Sequence, residues 1–110
     1  MPTPHHPPAA VRRILRKLGG DIRDARLRRR LPMAVVAERA FTSRSTLQRI
    51  EEGDPNVGMG IYAAALQALG LLEGLGDVAD PARDSVGQAL ATAELPSRAR
   101  MRRPKANSDA

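Results

Sequence analysis

Hydrophobic residues in the middle of the chain recur at intervals of three and four, which is the spacing of an amphipathic helix. The first such face contains Leu15, Leu18, Ile22 and Ala25. The adjacent glycines Gly19 and Gly20 each disfavour a helix by about 1 kcal/mol relative to alanine. They leave the start of this first helix undefined and allow a break or kink at that point.

Two shorter helices are predicted next. Pro32 suits a first helical turn and starts a second helix over residues 33–40. Ser43 can cap a third helix that ends near Glu52, and Gly53 can adopt the left-handed conformation that follows a helix. The two helices are therefore joined by about three residues, an arrangement typical of a helix-turn-helix.

Three more helical segments follow. A fourth helix over residues 59–69 is expected to stop at Gly70 and to bury Ile61, Ala65, Leu66 and Leu69. A short fifth helix is indicated by Leu71, Leu72, Leu75 and Val78, and a sixth by residues 81–95, which Pro96 ends. With almost no strand signal, the pattern predicts an all-α fold, a compact five- or six-helix bundle.

Composition sets the limits of this bundle. The chain has 110 residues, no cysteine and only 2% aromatic residues, which suits one small domain without disulfides. Residues 1–8 hold four prolines and two histidines, and residues 96–110 are mostly polar and basic. We therefore expect a disordered arm over 1–8, an ordered helix-turn-helix domain over 9–95 and a flexible basic tail over 96–110. No secretory signal or membrane span is recognisable, so a cytoplasmic location is expected.

Charge is unevenly distributed along the chain. Residues 1–50 hold 12 basic and 3 acidic side chains. Residues 51–97 hold 1 basic and 8 acidic side chains, and residues 98–110 hold 5 basic and 1 acidic side chain. A basic half followed by an acidic one favours a protein with one surface for a polyanion and another for a protein, although a solvated surface gives the same pattern.

The helix-turn-helix spacing is consistent internally. Ala37 is small enough for two crossing helices to approach, and Leu47 and Ile50 face inward after the turn at Phe41. Between residues 18 and 69 the sequence resembles the lambda-repressor and Cro type of domain, the xenobiotic response element family. The resemblance is carried by the segments IRDAR at 22–26, VAERA at 36–40 and SRSTLQRIEEG at 43–53.

This resemblance implies a set of DNA contacts. Arg44, Ser45 and Arg49 would reach base edges in the major groove, where arginine can bind guanine in bidentate fashion. Ser43 and Thr46 would contact phosphates, as would Asn56 and Gly58 before the fourth helix. The alternative for Arg44 and Arg49 is ordinary surface charge.

The resemblance also implies a structural ion pair between Arg26 and Glu51, which would join the first helix to the end of the third. Two positions depart from the family pattern. Phe41 stands where glycine is usual, at a backbone position that often has positive φ, and Pro32-Met33 replaces a hydroxyl residue and glutamine. The turn is therefore expected to be strained, and one phosphate contact is expected to be missing.

Over residues 61–82 the sequence is similar to HipB-like antitoxins, through IYAAAL at 61–66, LGLL at 69–72 and DPA at 80–82. That similarity implies a homodimeric, sequence-specific repressor of double-stranded DNA, encoded beside a HipA-like kinase toxin as a further partner. The alternative is a protein-binding module that neutralises a partner and binds DNA only nonspecifically. An RNA adaptor is disfavoured by the scarcity of aromatic residues.

Catalysis and cofactors are not expected. The pair His5-His6 lacks a third ligand for a metal, and no glycine-rich loop is followed by a phosphate-binding lysine. The serines of the third helix have no histidine within the domain to activate them. We therefore expect a protein that is not an enzyme and needs no cofactor.

Overall fold

The computed structural model describes residues 6–93, and these residues contain helices and no strand. The helices are α1 (Ala9–Arg28), α2 (Met33–Arg39), α3 (Arg44–Glu51), α4 (Met59–Ala68), α5 (Leu72–Gly76), a 3₁₀ turn (Pro81–Arg83) and α6, which covers residues 85–93 as far as they are described. The all-α prediction is confirmed.

The two expected flexible ends fall mainly outside these residues. The tail over 96–110 and the first five residues of the arm over 1–8 lie beyond the described part of the chain. The last residues of the arm, 6–8, are in irregular structure. Among them Pro7 is buried, and its carbonyl accepts a 2.6 Å hydrogen bond from Arg12 Nη1.

The chain divides into two compact units, and the division falls between Leu75 and Gly76. In the first unit α1 packs on α3, and α2 packs on both α3 and α4. These helices enclose one core, made of Ile22, Ala25, Val36, Ala37, Leu47, Ile50, Val57, Tyr62, Ala65, Leu66 and Leu69. The core holds the second and third helices together as the predicted helix-turn-helix.

Helices α1 to α4 end in the same hydrogen-bond pattern. After each last turn one residue has positive φ, and the residue after it donates its N–H to the carbonyl five positions earlier. This is the Schellman ending, which satisfies carbonyls that a helix leaves unpaired. The four residues with positive φ are Arg30, Phe41, Gly53 and Gly70, at 55°, 56°, 78° and 78°.

Helix α1 runs without a break through Gly19 and Gly20 and begins at Ala9. The break that the two glycines allow does not occur, because Gly19 is where α1 lies against the end of α3. A Cβ on Gly19 would lie 2.4 Å from the carbonyl oxygen of Ile50 and 2.7 Å from the amide nitrogen of Gly53. The glycine therefore serves helix packing.

Helix α4 buries a different residue from the one expected. Ile61 is 38% exposed, whereas Tyr62 is only 5% exposed. The expectation that Ile61 is buried was therefore wrong. Tyr62 can be buried because its hydroxyl donates a 2.8 Å hydrogen bond to the backbone carbonyl of Asp54, so its polar end is satisfied inside the protein.

The second unit begins at Gly76, and its described residues show two side-chain caps. Asp80 accepts the N–H of Ala82 at the 3₁₀ turn, and Asp84 accepts the N–H of Gly87 at the start of α6. The segment predicted as one helix over 81–95 is thus divided at Asp84. Within residues 6–93, no helix has the length and apolar character needed to cross a membrane.

Candidate nucleic-acid interface

The N-terminus of α3 is organised by three hydroxyl groups. Ser43 Oγ accepts the backbone N–H of Thr46 at 3.1 Å, as an N-cap does, and donates to Thr46 Oγ1 at 2.9 Å. Ser45 Oγ lies 3.2 Å from Ser43 Oγ. With the Ser43 proton given to Thr46, Ser45 donates to Ser43, and the hydroxyl proton of Thr46 stays available for an outside acceptor such as a phosphate.

Arg44 occupies the first position of α3. Its side chain is exposed, and within residues 6–93 it forms neither a hydrogen bond nor an ion pair. The buried residues of the same helix are Leu47 and Ile50, both 0% exposed. Since α3 turns about 100° per residue, Ser45 and Arg49 lie on the side of the helix that faces away from this core, whereas Arg44 lies at the edge of that side, nearer in angle to Leu47.

Arg49 is not isolated. Its Nε donates to Asp54 Oδ2 at 2.8 Å, and the two side chains are 47% and 25% exposed. This hydrogen bond, together with one from the backbone N–H of Asn56, lowers the pKa of Asp54 below its ordinary value. Asp54 is therefore a carboxylate at neutral pH, and it joins Arg49 to the loop after α3.

The other two expected contacts, Asn56 and Gly58, lie in that loop. Asn56 is exposed, and its backbone N–H donates to Asp54 Oδ1 at 2.8 Å. Gly58 precedes α4 in an extended conformation that any residue can adopt, and no side chain caps the helix there. Ile61 donates its N–H to the carbonyl of Gly58, so the N–H groups of Met59 and Gly60 are left for an acceptor outside the helix.

Arg26 and Glu51 form a two-fold contact. Arg26 Nε lies 2.7 Å from Glu51 Oε2, and Arg26 Nη2 lies 3.1 Å from Glu51 Oε1. Arg26 Nη1 also donates to the carbonyl of Leu31 at 3.1 Å. The hydrogen bond with Glu51 raises the pKa of Arg26, although burial alone would lower it. With side chains only 10% and 6% exposed, the pair joins α1 to the end of α3.

The structure thus links five of the seven expected DNA contacts in two groups, which include neither Arg44 nor Gly58. Ser43, Ser45 and Thr46 are linked at the start of α3, while Arg49 and Asn56 are linked through the carboxylate of Asp54. Asp54 was not anticipated. A signal for it exists in the sequence, since an aspartate two residues before an asparagine can accept that residue's backbone N–H in an Asx turn.

Comparison with known families agrees with this geometry. Residues 17–77, more than half of the chain, match the family described as "Helix-turn-helix domain". The chain therefore belongs to this helix-turn-helix family, whose fold suggests a DNA-binding regulator. Comparison with curated proteins gave no significant match.

Proposed function

We propose that this protein is a sequence-specific, double-stranded DNA-binding transcriptional repressor that acts in the cytoplasm by binding and without catalysis. The observation that carries the proposal is the exposed surface of α3, on which Ser45 and Arg49 face away from the buried Leu47 and Ile50 and Arg44 is exposed at the first position. A helix after such a turn fits the major groove, where its first residues meet base edges.

Electrostatics supports the same interpretation. Residues 1–50, which contain α1, α2 and α3 up to Ile50, carry 12 basic and 3 acidic side chains. Basic side chains that contact phosphates raise the affinity for any duplex, whereas arginines that contact base edges distinguish one sequence from another. We assign Arg44 and Arg49 to the second task, and Ser43, Thr46, Asn56 and Gly58 to phosphates.

The test begins with a pool of duplexes that share a randomised core, from which the protein enriches a preferred sequence. Affinity is then measured on the enriched duplex and on a scrambled one for wild type, Arg44→Ala and Arg49→Ala. Each replacement is expected to cost about 1 to 3 kcal/mol on the enriched duplex and much less on the scrambled one.

Arg83→Ala is the matched control, because it removes one exposed arginine from the second unit. It should change both affinities slightly and equally. Equal losses on both duplexes for Arg44→Ala and Arg49→Ala would refute sequence-specific recognition. That result would favour the alternative of a protein-binding module for which DNA is only a polyanion.

We further propose that the repressor is a homodimer. Leu71 and Leu72 remain 40% and 37% exposed after α4, and in the second unit Val78 is 75% exposed. Neighbouring exposed apolar side chains that form a contiguous patch are commonly covered by a partner, and paired helix-turn-helix domains bind half-sites about 34 Å apart. Sedimentation at about tens of micromolar should show the dimer, and a monomer there would exclude it.

We also propose an autoregulatory role as the antitoxin of a HipBA-like toxin-antitoxin pair, with a HipA-like kinase toxin as partner. The proposal is supported by the similarity of residues 61–82 to HipB-like antitoxins and by the acidic charge of residues 51–97. An adjacent reading frame that encodes a kinase-like protein, and a stable complex when the two are expressed together, are the expected observations. A neighbouring frame of another class would exclude this role.

A further inference from the structure

Asp54 is fixed by hydrogen bonds to both its backbone and its side chain. Its N–H donates to the carbonyl of Arg49 at 3.0 Å, and its own carbonyl accepts the hydroxyl of Tyr62 at 2.8 Å. Oδ1 accepts the N–H of Asn56 and Oδ2 accepts Nε of Arg49, each at 2.8 Å. The carboxylate is therefore held by the end of α3 and by the following loop, and the backbone of Asp54 is held by α4.

The way Asp54 binds Arg49 leaves a defined part of the guanidinium free. Nε is used, whereas within residues 6–93 neither Nη1 nor Nη2 of Arg49 has a partner. These two terminal groups lie side by side in one plane with parallel N–H bonds. Guanine presents two acceptors, O6 and N7, in the matching arrangement at the edge of the major groove.

We propose that Asp54 is a specificity-determining positioning residue, which holds Nε of Arg49 so that Nη1 and Nη2 are presented together to a guanine. This inference rests on the proposed function and adds a residue that does not itself touch DNA. An arginine held in this way loses less side-chain freedom when it binds, and it presents one edge instead of several. Arg44 has no corresponding partner in the described residues and should discriminate less sharply.

The charge of Asp54 gives the proposal a distinctive signature. A carboxylate beside a polyanion weakens binding to every duplex, because phosphates repel it. Loss of that charge should therefore leave nonspecific affinity equal or higher while guanine discrimination falls. A residue that only stabilised the fold would lower both together.

The experiment uses the full chain and the same randomised duplex pool. Asp54→Asn is the main variant, because asparagine keeps the size and an acceptor for the N–H of Asn56 but loses the charge that holds Arg49. Arg49→Ala should abolish the preference for guanine at one base position of the enriched duplex. At that position Asp54→Asn should reduce the preference for guanine over adenine about tenfold, within the range for one bidentate contact. Affinity for the scrambled duplex should be unchanged or increased.

Two further variants separate positioning from stability. In the Arg49→Ala background, Asp54→Asn should have no additional effect on that preference, because the two residues act through one contact. Asp21→Asn is the matched control, since it removes the carboxylate of the exposed Lys17–Asp21 pair and should leave the preference unchanged. The preference is a ratio of two affinities measured on one sample, so a reduced folded fraction cancels.

The outcomes distinguish this inference from the proposed function. If wild type enriches no sequence, both are overturned. If a sequence is enriched but Asp54→Asn keeps the full guanine preference, only the role of Asp54 is overturned. Asp54→Asn could also bind the enriched duplex more tightly and keep its guanine preference. That result would mean that Asp54 withholds Arg49 from DNA, and it too would overturn the positioning role of Asp54.

Discussion

Arg30 and Phe41 follow α1 and α2 at the position that Gly53 and Gly70 occupy after α3 and α4. Their φ angles of 55° and 56° cost a residue that has a Cβ about 1 to 2 kcal/mol. Phe41 is 95% exposed, so burial of the ring offsets none of that cost. The strain expected at Phe41 is thus present. The positive φ of Arg30 could not be predicted from the sequence, because arginine is common near the end of a helix.

Phe41→Gly should raise the free energy of unfolding by about 0.5 to 1 kcal/mol. Glycine removes the steric cost of positive φ, and this gain exceeds its greater freedom in the unfolded chain. Urea denaturation measures the difference. Glu38→Gly, at an exposed position with regular helical structure in α2, should instead lower stability by about 1 kcal/mol. A loss of stability in both variants would contradict the prediction.

Arg26 and Glu51 should behave as one stabilising unit. Arg26→Ala and Glu51→Ala should each cost about 3 to 5 kcal/mol, because each leaves the partner's charge buried. The double variant should cost less than the sum, as a double-mutant cycle of unfolding free energies would show. Lys17→Ala, which breaks an exposed pair, should cost less than about 1 kcal/mol. If Arg26→Ala abolishes DNA binding without loss of stability, Arg26 is a ligand of DNA instead.

Tyr62 should titrate at unusually high pH. Burial, and then the charge of Asp54, raise the pKa of Tyr62 from 10.0 to about 12. The folded state favours the neutral phenol, so this contribution to stability is complete below pH 10.0 and is lost as the pH rises toward about 12. Since Tyr62 is the only tyrosine and the chain has no tryptophan, tyrosinate absorbance reports this group alone.

The measurement is a pair of absorbance titrations, one of the folded protein and one in concentrated urea. The folded titration should have its midpoint near pH 12, and the unfolded one near 10.0. Stability followed by circular dichroism should decrease over the same interval, and Tyr62→Phe should remove that part of the decrease. Equal midpoints in the two titrations would show that burial does not perturb the phenol.

At the scale of helices, Gly19 and Gly20 are adjacent but have opposite roles. A Cβ on Gly19 would lie 2.4 to 2.8 Å from backbone atoms of Ile50, Glu51 and Gly53, whereas a Cβ on Gly20 would meet nothing within 4 Å. Backbone atoms of a packed helix end cannot move aside cheaply. Within α1 the contact with α3 therefore needs glycine at position 19 and not at position 20. On the other side of the contact Gly53 is needed as well, because a Cβ there would lie 2.6 Å from Arg16 Cα and from the carbonyl oxygen of Leu15.

Gly19→Ala should lower the free energy of unfolding by about 2 to 3 kcal/mol, because α1 must move away from α3. Gly20→Ala should raise it by about 1 kcal/mol, through the higher helix propensity of alanine. Both values come from denaturant unfolding of otherwise identical chains. Similar effects of the two substitutions would mean that α1 does not approach α3 at Gly19.

Much of this arrangement could be predicted from local patterns. The helix-turn-helix spacing, the cap at Ser43 and the ending at Gly53 depend on residues close together in the chain, and the structure has all three. The packing role of Gly19 and the burial of Tyr62 instead depend on residues that only folding brings together. Asp54 belongs to both kinds, because its Asx turn and its hydrogen bond with Arg49 are local, whereas the hydrogen bond from Tyr62 comes from the packed α4.

At the scale of the whole molecule, the basic tail should add affinity without selectivity. Residues 98–110 contain five basic and one acidic side chain. Their deletion should weaken binding to enriched and scrambled duplexes alike, and should reduce the dependence of log affinity on log salt by about 0.9 for each phosphate that the tail neutralises. Salt titrations of the full and shortened chains measure this. A selective decrease in affinity for the enriched duplex would assign base recognition to the tail.

The shared ending of α1 to α4 also bears on the order of events in folding. Each ending is closed by a hydrogen bond between residues five apart, such as Leu31 and Arg26. Loops this short close in well under about 1 µs, whereas the contact of Arg26 with Glu51 joins residues 25 apart in the chain. The position at which each helix ends is therefore encoded locally, whereas the Arg26–Glu51 contact forms only when α1 and α3 dock on each other.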